Sequence, residues 1–259
     1  MLGMLVRRDI KSRYKDSALG FAWSVARPLT QLAIYYIVSG QVLGAARGIE
    51  SFAIYVFAGM TIFGLFAETV TSGTGSITSN SSLVRKVAIP REVFPLASVG
   101  SALFNFSVQL GILLVAVFTL GSGPVWDNMG YAVLAIVLVV VYGGAIGLFL
   151  SAFNVFFRDT QYLVEVTMML LLWASPILYS WKMVADRAGQ GLLLDIYTTN
   201  PATLAVLGFQ RAFWAPGTDE MYPEGLATRM AVAILISLFM LGAAYWYFTR
   251  VQGRIVQEL

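Results

Sequence analysis

The sequence contains no cysteine and no histidine. Without cysteine there is no disulfide framework, no thiolate metal site and no cysteine nucleophile. Without histidine the usual general base, the commonest zinc ligand and the side chain that titrates near neutral pH are missing. Charge is scarce as well. Asp, Glu, Lys and Arg make up 12% of the 259 residues, about half the share of a soluble domain. A net charge of +3 is too small to mark a nucleic-acid binder. A nucleotide loop is also absent. Residues 71–76 are rich in glycine and hydroxyl groups, but no Gly-Lys-Ser/Thr follows, and the phosphate-loop pattern occurs nowhere in the chain. If ATP drives this protein, another subunit binds it.

What is abundant is apolar surface. Hydrophobic residues make up 58% of the chain and the mean hydropathy is +0.74, which excludes disorder and argues against a water-soluble globule. A bilayer core needs about 20 apolar residues per helix. Six runs qualify: 28–46, 52–71, one within 96–125, 131–157, 162–179 and 230–248. The first is the weakest, because it contains Gln31, Ser39, Gly40 and Gln41. An all-α, polytopic membrane protein with six spanning helices is expected. The charged N-terminus does not read as a cleavable signal peptide.

Basic residues orient the spans. Arg7, Arg8, Lys11, Arg13, Lys15, Arg27, Arg85, Lys86, Arg91, Arg158, Arg250 and Arg254 fall on one side, 12 of the 17. The other side holds Arg47, Lys182, Arg187, Arg211 and Arg229, and collects Asp186, Asp195, Asp219, Glu220 and Glu224. Both termini are therefore expected in the cytoplasm. The chain divides into a cytoplasmic interface segment (1–27), a membrane region (28–248) and a cytoplasmic tail (249–259).

Residues 2–15 read as an amphipathic helix. Leu2, Leu5, Val6, Ile10 and Tyr14 share one stripe, and Arg7, Arg8, Lys11 and Lys15 lie opposite. Such a helix lies in the membrane interface, its basic face toward anionic headgroups. It serves either as a topology anchor or as a dock for a partner. Residues 79–95 form a short, basic loop. Asn80, Ser81 and Ser82 can cap a helix that begins near Leu83, and Pro90 suits the first turn of the next helix. Leu83, Val84 and Val87 are apolar beside Arg85, Lys86 and Arg91 and need burial. A docking helix for another protein satisfies them, and so does packing on the chain's own surface.

Aromatic residues are plentiful, at 14%. Phe52, Tyr55, Phe63 and Phe66 share a helical face with Gly59. Tyr35 and Tyr36 lie in the first span, and Trp173, Tyr179 and Trp181 lie in or just beyond the fifth. Lipid contact and interfacial belts account for such rings, and so does a pore wall on which the C–H faces of sugars slide. Two carboxylates lie inside spans. Glu68 sits about one turn from the cytoplasmic end, where snorkelling is the cheap explanation, and Glu165 lies near the same surface. No catalytic constellation is visible. Residues 198–214 are too apolar for a loop and too short to cross, so a re-entrant or interfacial helix starting at Asn200 and Pro201 is expected on the external side. Gly143, Gly144 and Gly147 allow close helix packing.

Three stretches carry a resemblance to a known family. The first is Arg8-Asp9-Ile10-Lys11-Ser12-Arg13-Tyr14-Lys15, followed by Leu19-Gly20-Phe21-Ala22-Trp23 and Arg27-Pro28-Leu29. The second is Ser76-Ile77, Asn80, Leu83-Val84-Arg85-Lys86-Val87 and Ile89-Pro90-Arg91-Glu92-Val93-Phe94-Pro95-Leu96. The third is Asn154-Val155-Phe156-Phe157-Arg158-Asp159, leading to Ser175-Pro176-Ile177-Leu178-Tyr179. In order and over nearly the full length, they resemble the transmembrane permease subunit of bacterial ABC exporters for lipid-linked polysaccharides: O-antigen, teichoic acid, capsule or galactan precursors. Asn200-Pro201 matches that family's external re-entrant region. The chain departs from the family at the front, where members commonly carry residues ahead of the basic motif.

The resemblance implies a homodimer of permeases joined to two ATP-binding cassette subunits in the bacterial inner membrane. The permease then binds no cofactor and is no enzyme, and ATP and Mg sit in the partner. The interface helix, with Arg7, Arg8, Lys11, Arg13, Tyr14 and Lys15, would lie beside the ATPase. The coupling helix, with Leu83, Val84, Arg85, Lys86, Val87, Pro90, Arg91 and Glu92, would seat in an ATPase groove. The conduit would lie at the dimer interface, with Tyr35, Tyr36, Phe52, Tyr55, Phe63, Phe66, Trp173 and Tyr179 as candidate lining. The partners would be the ATPase, a second permease, the lipid-linked polysaccharide and membrane lipids, with no nucleic acid. The alternatives are a related permease for drugs or small lipids, an integral-membrane enzyme acting on lipid-linked sugars, and a structural scaffold.

Overall fold

The computed structural model describes residues 2–14, 22–42, 44, 49–86, 90–120, 123–189 and 191–258. Among them there are helices and turns and no strand. The helices are α1 (Leu2–Tyr14), α2 (Ala22–Ile34) with a π-helical continuation (Tyr35–Val42), α3 (Phe52–Gly75), α4 (Ser81–Lys86), α5 (Val93–Leu120) and α6 (Met129–Phe156). After them come α7 (Thr160–Ala174), α8 (Trp181–Ala188), α9 (Leu192–Thr199), α10 (Pro201–Phe213) and α11 (Leu226–Glu258).

Four helices are long and apolar enough to cross a bilayer: α3, α5, α6 with the turn before it (Trp126–Phe156), and α11 over Leu226–Ile255. They cover the expected second, third, fourth and sixth spans. In such helices every backbone group but the terminal ones is bonded internally, as hydrocarbon requires. The expected first and fifth spans fall short of that measure. The fifth, α7, has 15 residues. The first starts earlier than its apolar run, at Ala22, and α2 holds Pro28 in its interior.

The bundle has two ends. At the near end Arg8 Nη2 donates to Asn80 Oδ1 at 2.6 Å, Asn154 Nδ2 to Thr74 O at 3.2 Å, and Arg91 Nη1 to Gln252 O. Arg8, Asn80, Arg91 and Gln252, which are among the residues expected in the cytoplasm, gather here. At the far end Trp214 Nε1 donates to Glu50 O at 2.7 Å, Val125 N to Ala212 O at 2.9 Å, and Asn128 Nδ2 to Arg211 O at 3.4 Å. The chain leaves α1 at the near end and reaches Glu50 at the far end, with α2 and its π-helical continuation between. It leaves the near end again with α7 and reaches the far end at 175–179, where Tyr55 Oη donates to Pro176 O and Tyr179 O, both at 2.9 Å.

The helix pair α9–α10 is bent by 69°, and both of its ends lie at the far end. Trp181 Nε1 donates to Thr198 Oγ1 at 3.0 Å before the bend. At the bend Asn200 caps α10, its side chain accepting from Ala202 N at 3.0 Å, with Pro201 in the first turn. Burial of α10 on nearly every side explains why 198–214 is too apolar for a loop. Beyond it Lys182 and Glu220 pair at 2.9 Å. That hydrogen bond, then the charge, raises the Lys182 pKa and lowers that of Glu220.

Helix α3 is the axis of the core. Its spanning window is 78% buried, against 17% for α5 and 22% for α11, because α5, α6, α7 and α10 pack around it. Against α6 the approach is closest at glycines. A Cβ on Gly73 would lie 2.9 Å from Gly147 Cα, and one on Gly147 would lie 3.1 Å from Thr69 O. Gly143 also faces Thr69, whereas a Cβ on Gly144 meets nothing within 4 Å. Two of the three expected packing glycines therefore make the crossing, and Gly144 does not.

Candidate functional site

The expected coupling segment continues α3. Ser76, Ile77 and Ser81 keep right-handed helical backbone angles, and a 3-10 turn at Thr78–Asn80 leads into α4. The helix thus begins at Ser81 rather than near Leu83. Asn80 does not cap it: its Nδ2 donates backwards to Ser76 O at 2.8 Å while its Oδ1 accepts from Arg8. Val84 is buried with Ile77, Phe94, Leu148, Val155, Phe248 and Ile255, and Leu83 packs against the same cluster. Val84 is thus buried by its own chain, whereas Leu83 is half-buried there. Pro90 is exposed, Glu92 is half-buried, and Arg91 is tied to the α11 tail. The Arg85 and Lys86 side chains and all of Val87 lie outside the described residues.

Helix α1 lies on α5. Val6 sits over Gly100, where a Cβ would come within 2.8 Å of Val6 Cγ2, and Leu5 packs on the α4 cluster. Arg7 and Arg8 are exposed, and Arg8 pairs with Asp9 at 2.7 Å. Lys11, Arg13 and Tyr14 fall in α1 with side chains outside the described residues, as is the whole of Lys15.

The eight candidate lining aromatics separate into two sets. Phe52, Tyr55, Phe63 and Phe66 are buried in the core. Phe66 stacks on Tyr142 at 5.6 Å, and Tyr55 meets Trp214 edge-on at 4.9 Å. These four rings are interior to the protomer. The other four lie outside that core: Tyr35 and Tyr36 on the π-helical continuation of α2, Trp173 on α7 and Tyr179 just after it. Tyr35 meets Trp173 edge-on at 6.5 Å, and Tyr179 Oη donates to Trp173 O at 2.9 Å. Tyr36 and Trp173 are exposed. Glu68 is half-buried, and Asn105 Nδ2 of α5 donates to its Oε1 at 2.6 Å. Glu165 is exposed and accepts from Gln161 at 3.3 Å.

A cleft of about 960 Å³ opens at the near end between α1, the α3–α4 corner, the start of α5, the α6–α7 turn and the α11 tail. Its wall is hydroxyl-rich, with Thr71, Ser72, Ser76, Thr78, Ser79 and Ser81 from one stretch of chain. The 71–76 run, dismissed above as a phosphate loop, is part of this wall. Ser76, Ser101, Asn154 and Gln161 border the cleft, but Ser76 Oγ, Ser101 Oγ, Asn154 Oδ1 and Gln161 Oε1 are closed off from it, each buried without a hydrogen-bond partner. Such an atom costs about 1–3 kcal/mol. Ser76 and Asn154 stand in the stretches that carry the resemblance, but the sequence marked none of the four as a site residue, and Ser101 and Gln161 stood in no motif. The signal present was a polar stripe on α5, Ser98, Ser101 and Asn105, at helical spacing in an apolar helix. Among the described residues no three acidic side chains gather to hold a metal ion.

A family model described as ABC-2 type transporter matches residues 2–214, from α1 through α10. The chain belongs to the ABC-2 type transporter membrane family. Among named relatives it is 28% identical to an O-antigen export system permease protein of Myxococcus xanthus, over 91% of this chain and 88% of the relative. It is 30% identical to the O-antigen export system permease protein of Klebsiella pneumoniae, covering 82% and 80%. It is 23% identical to a polysialic acid transport protein of Escherichia coli, covering 93% and 90%. Family membership and the apolar helices make this chain a multi-pass membrane protein. The near-end elements, from α1 through the α6–α7 turn, all fall inside the matched region, while α11, which closes the cleft with Glu258, lies beyond it.

Proposed function

We propose that this chain is the permease subunit of an ATP-driven exporter that moves a lipid-linked polysaccharide across the bacterial inner membrane. The observation that carries the reading is the near end-to-end match to export permeases of this class. The absence of a phosphate loop agrees with it, since nucleotide and Mg then belong to an ATP-binding cassette partner, and the permease itself performs no covalent chemistry. The working unit in this reading is two permeases with two ATPases. Six crossings, by α2 with its continuation, α3, α5, α6, α7 and α11, bring both termini to one end. The excess of basic residues there makes that end cytoplasmic, and α9–α10 is re-entrant from outside.

In this reading ATP closes the ATPase pair and the motion enters at 85–92. Leu83 and Val84 anchor α4 to α5, α6 and α11, so a push on Arg85, Lys86 or the exposed Pro90 is delivered to those helices. Tyr35, Tyr36, Trp173 and Tyr179 form the surface aromatic patch best placed to meet the cargo. Replacing Arg85 and Lys86 together by Glu is expected to release the ATPase from the detergent-purified complex and leave the membrane domain's thermal melt within about 2 °C of wild type. Normal assembly and export in that double variant would refute the coupling assignment.

A further inference from the structure

Helix α11 has 33 residues, about 50 Å of helix, whereas a bilayer core takes about 20 residues. Its apolar run ends at Phe248, and the remainder, 249–258, is mostly polar. A helix end of this kind frays unless something ties it down, and this one is tied. Leu241, Ala244, Phe248, Val251 and Ile255 continue one apolar stripe at spacings of three and four. Phe248 and Ile255 are fully buried, and Val251 packs on the same cluster. The opposite side of the tail, with Arg250, Gly253, Arg254 and Glu258, is exposed.

What the tail holds is the coupling segment, on both flanks. Val84, ahead of the stretch 85–90, is buried in the cluster that contains Phe248 and Ile255. Arg91, behind that stretch, donates from Nη1 to Gln252 O. The rest of α11 packs along α6. We propose that the α11 tail is a latch: it fastens both flanks of the coupling segment to this helix, so that a stroke of the ATPase moves segment and helix as one body. The assignment rests on the exporter reading above. Ile255 and Gln252 are positioning residues in it, acting through the coupling segment and not on nucleotide or cargo. With the latch weakened, the segment still meets its partner through Arg85, Lys86 and Pro90. Its motion is then taken up in the gap beneath α4 instead of reaching α11. Hydrolysis continues and transport does not follow it, whereas a tail that only stabilised the fold would lower both together.

The test uses the permease with its ATPase partner in proteoliposomes that carry the glycolipid extract of the native membrane. Three quantities are read: ATPase bound, ATP hydrolysed and glycan delivered to the lumen. Ile255→Ala is expected to lower the glycan delivered per ATP several-fold, with bound ATPase and hydrolysis unchanged. Ile255→Val should restore most of that ratio, and Arg254→Ala, on the exposed side of the same tail, should leave it at the wild-type value. An unchanged ratio in Ile255→Ala would overturn the latch and leave the exporter reading standing, whether both rates hold or both fall together. Release of the ATPase would overturn it too, since the tail would then build the dock rather than transmit from it. An equal fall in Arg254→Ala would do the same. Where Ile255→Ala fails to fold, Val251→Ala, half-buried on the same stripe, is the second variant: a lowered ratio supports the latch, and an unchanged one overturns it. A wild-type complex that hydrolyses ATP and delivers no glycan would strike the exporter reading itself and the latch with it.

Discussion

At the scale of single residues, Tyr55 is the fastener of the far end. Its hydroxyl donates to Pro176 O and Tyr179 O, and Gln210 Nε2 reaches the same Pro176 O at 2.9 Å. Gly59 leaves the room, since a Cβ there would lie 3.0 Å from Gln210 Nε2. Tyr55→Phe keeps the ring and removes the donor. It is expected to cost about 1–2 kcal/mol, read as a lower melting temperature of the purified protein and as earlier proteolysis of α8 and α9. The aromatic character of positions 52, 55, 63 and 66 was legible in the sequence; their burial was not. Helical spacing says which residues share a face. It does not say whether lipid or a neighbouring helix covers that face, and α3 is covered on all sides by segments distant in sequence. The partner of Glu68 was not legible for the same reason, because Asn105 lies 37 positions away.

At the scale of elements, helix packing sets the response to substitution. Gly73→Ala would force a methyl group to within 2.9 Å of the α6 backbone, which cannot rotate away. A loss of about 1–3 kcal/mol is expected in a thermal melt. Gly144→Ala, in open space on the same α6, should be neutral or slightly stabilising. The apolar runs located α3, α5 and α6 within about five residues, but the run 230–248 stopped well short of the end of α11 at Glu258. They did not show that the first helix begins at Ala22, or that α4 turns its apolar residues onto its own chain. Leu83 and Val84 demand burial in either reading, and only the position of Phe94, Val155 and Phe248 decides where they find it. The α3–α6 crossing was half legible. Small residues marked it, but the period that separates Gly147 from Gly144 depends on where α3 lies.

At the scale of the whole molecule, the two ends of the bundle carry the functional argument. Asp9 of α1 and Glu258 of α11 both line the hydroxyl-rich cleft, and in the proposed function the positive-inside balance puts that end in the cytoplasm. The cysteine-free sequence is a ready background for labelling. Met4→Cys and Arg254→Cys are expected to react with a membrane-impermeant thiol reagent only in inverted vesicles, and Asp219→Cys only in intact cells stripped of their outer layers. The opposite pattern would reverse the topology. The overall class was the most legible level of all, because composition, charge asymmetry and three short motifs each report on the whole chain rather than on one contact. The cleft was the least legible, because it is assembled from five separate segments. The central claim, export of a lipid-linked polysaccharide, is tested most directly by depleting this chain in its own host and measuring two pools together. Surface polysaccharide is predicted to fall while its lipid-linked precursor accumulates in the inner membrane. Undiminished surface polysaccharide with no precursor build-up would contradict the account.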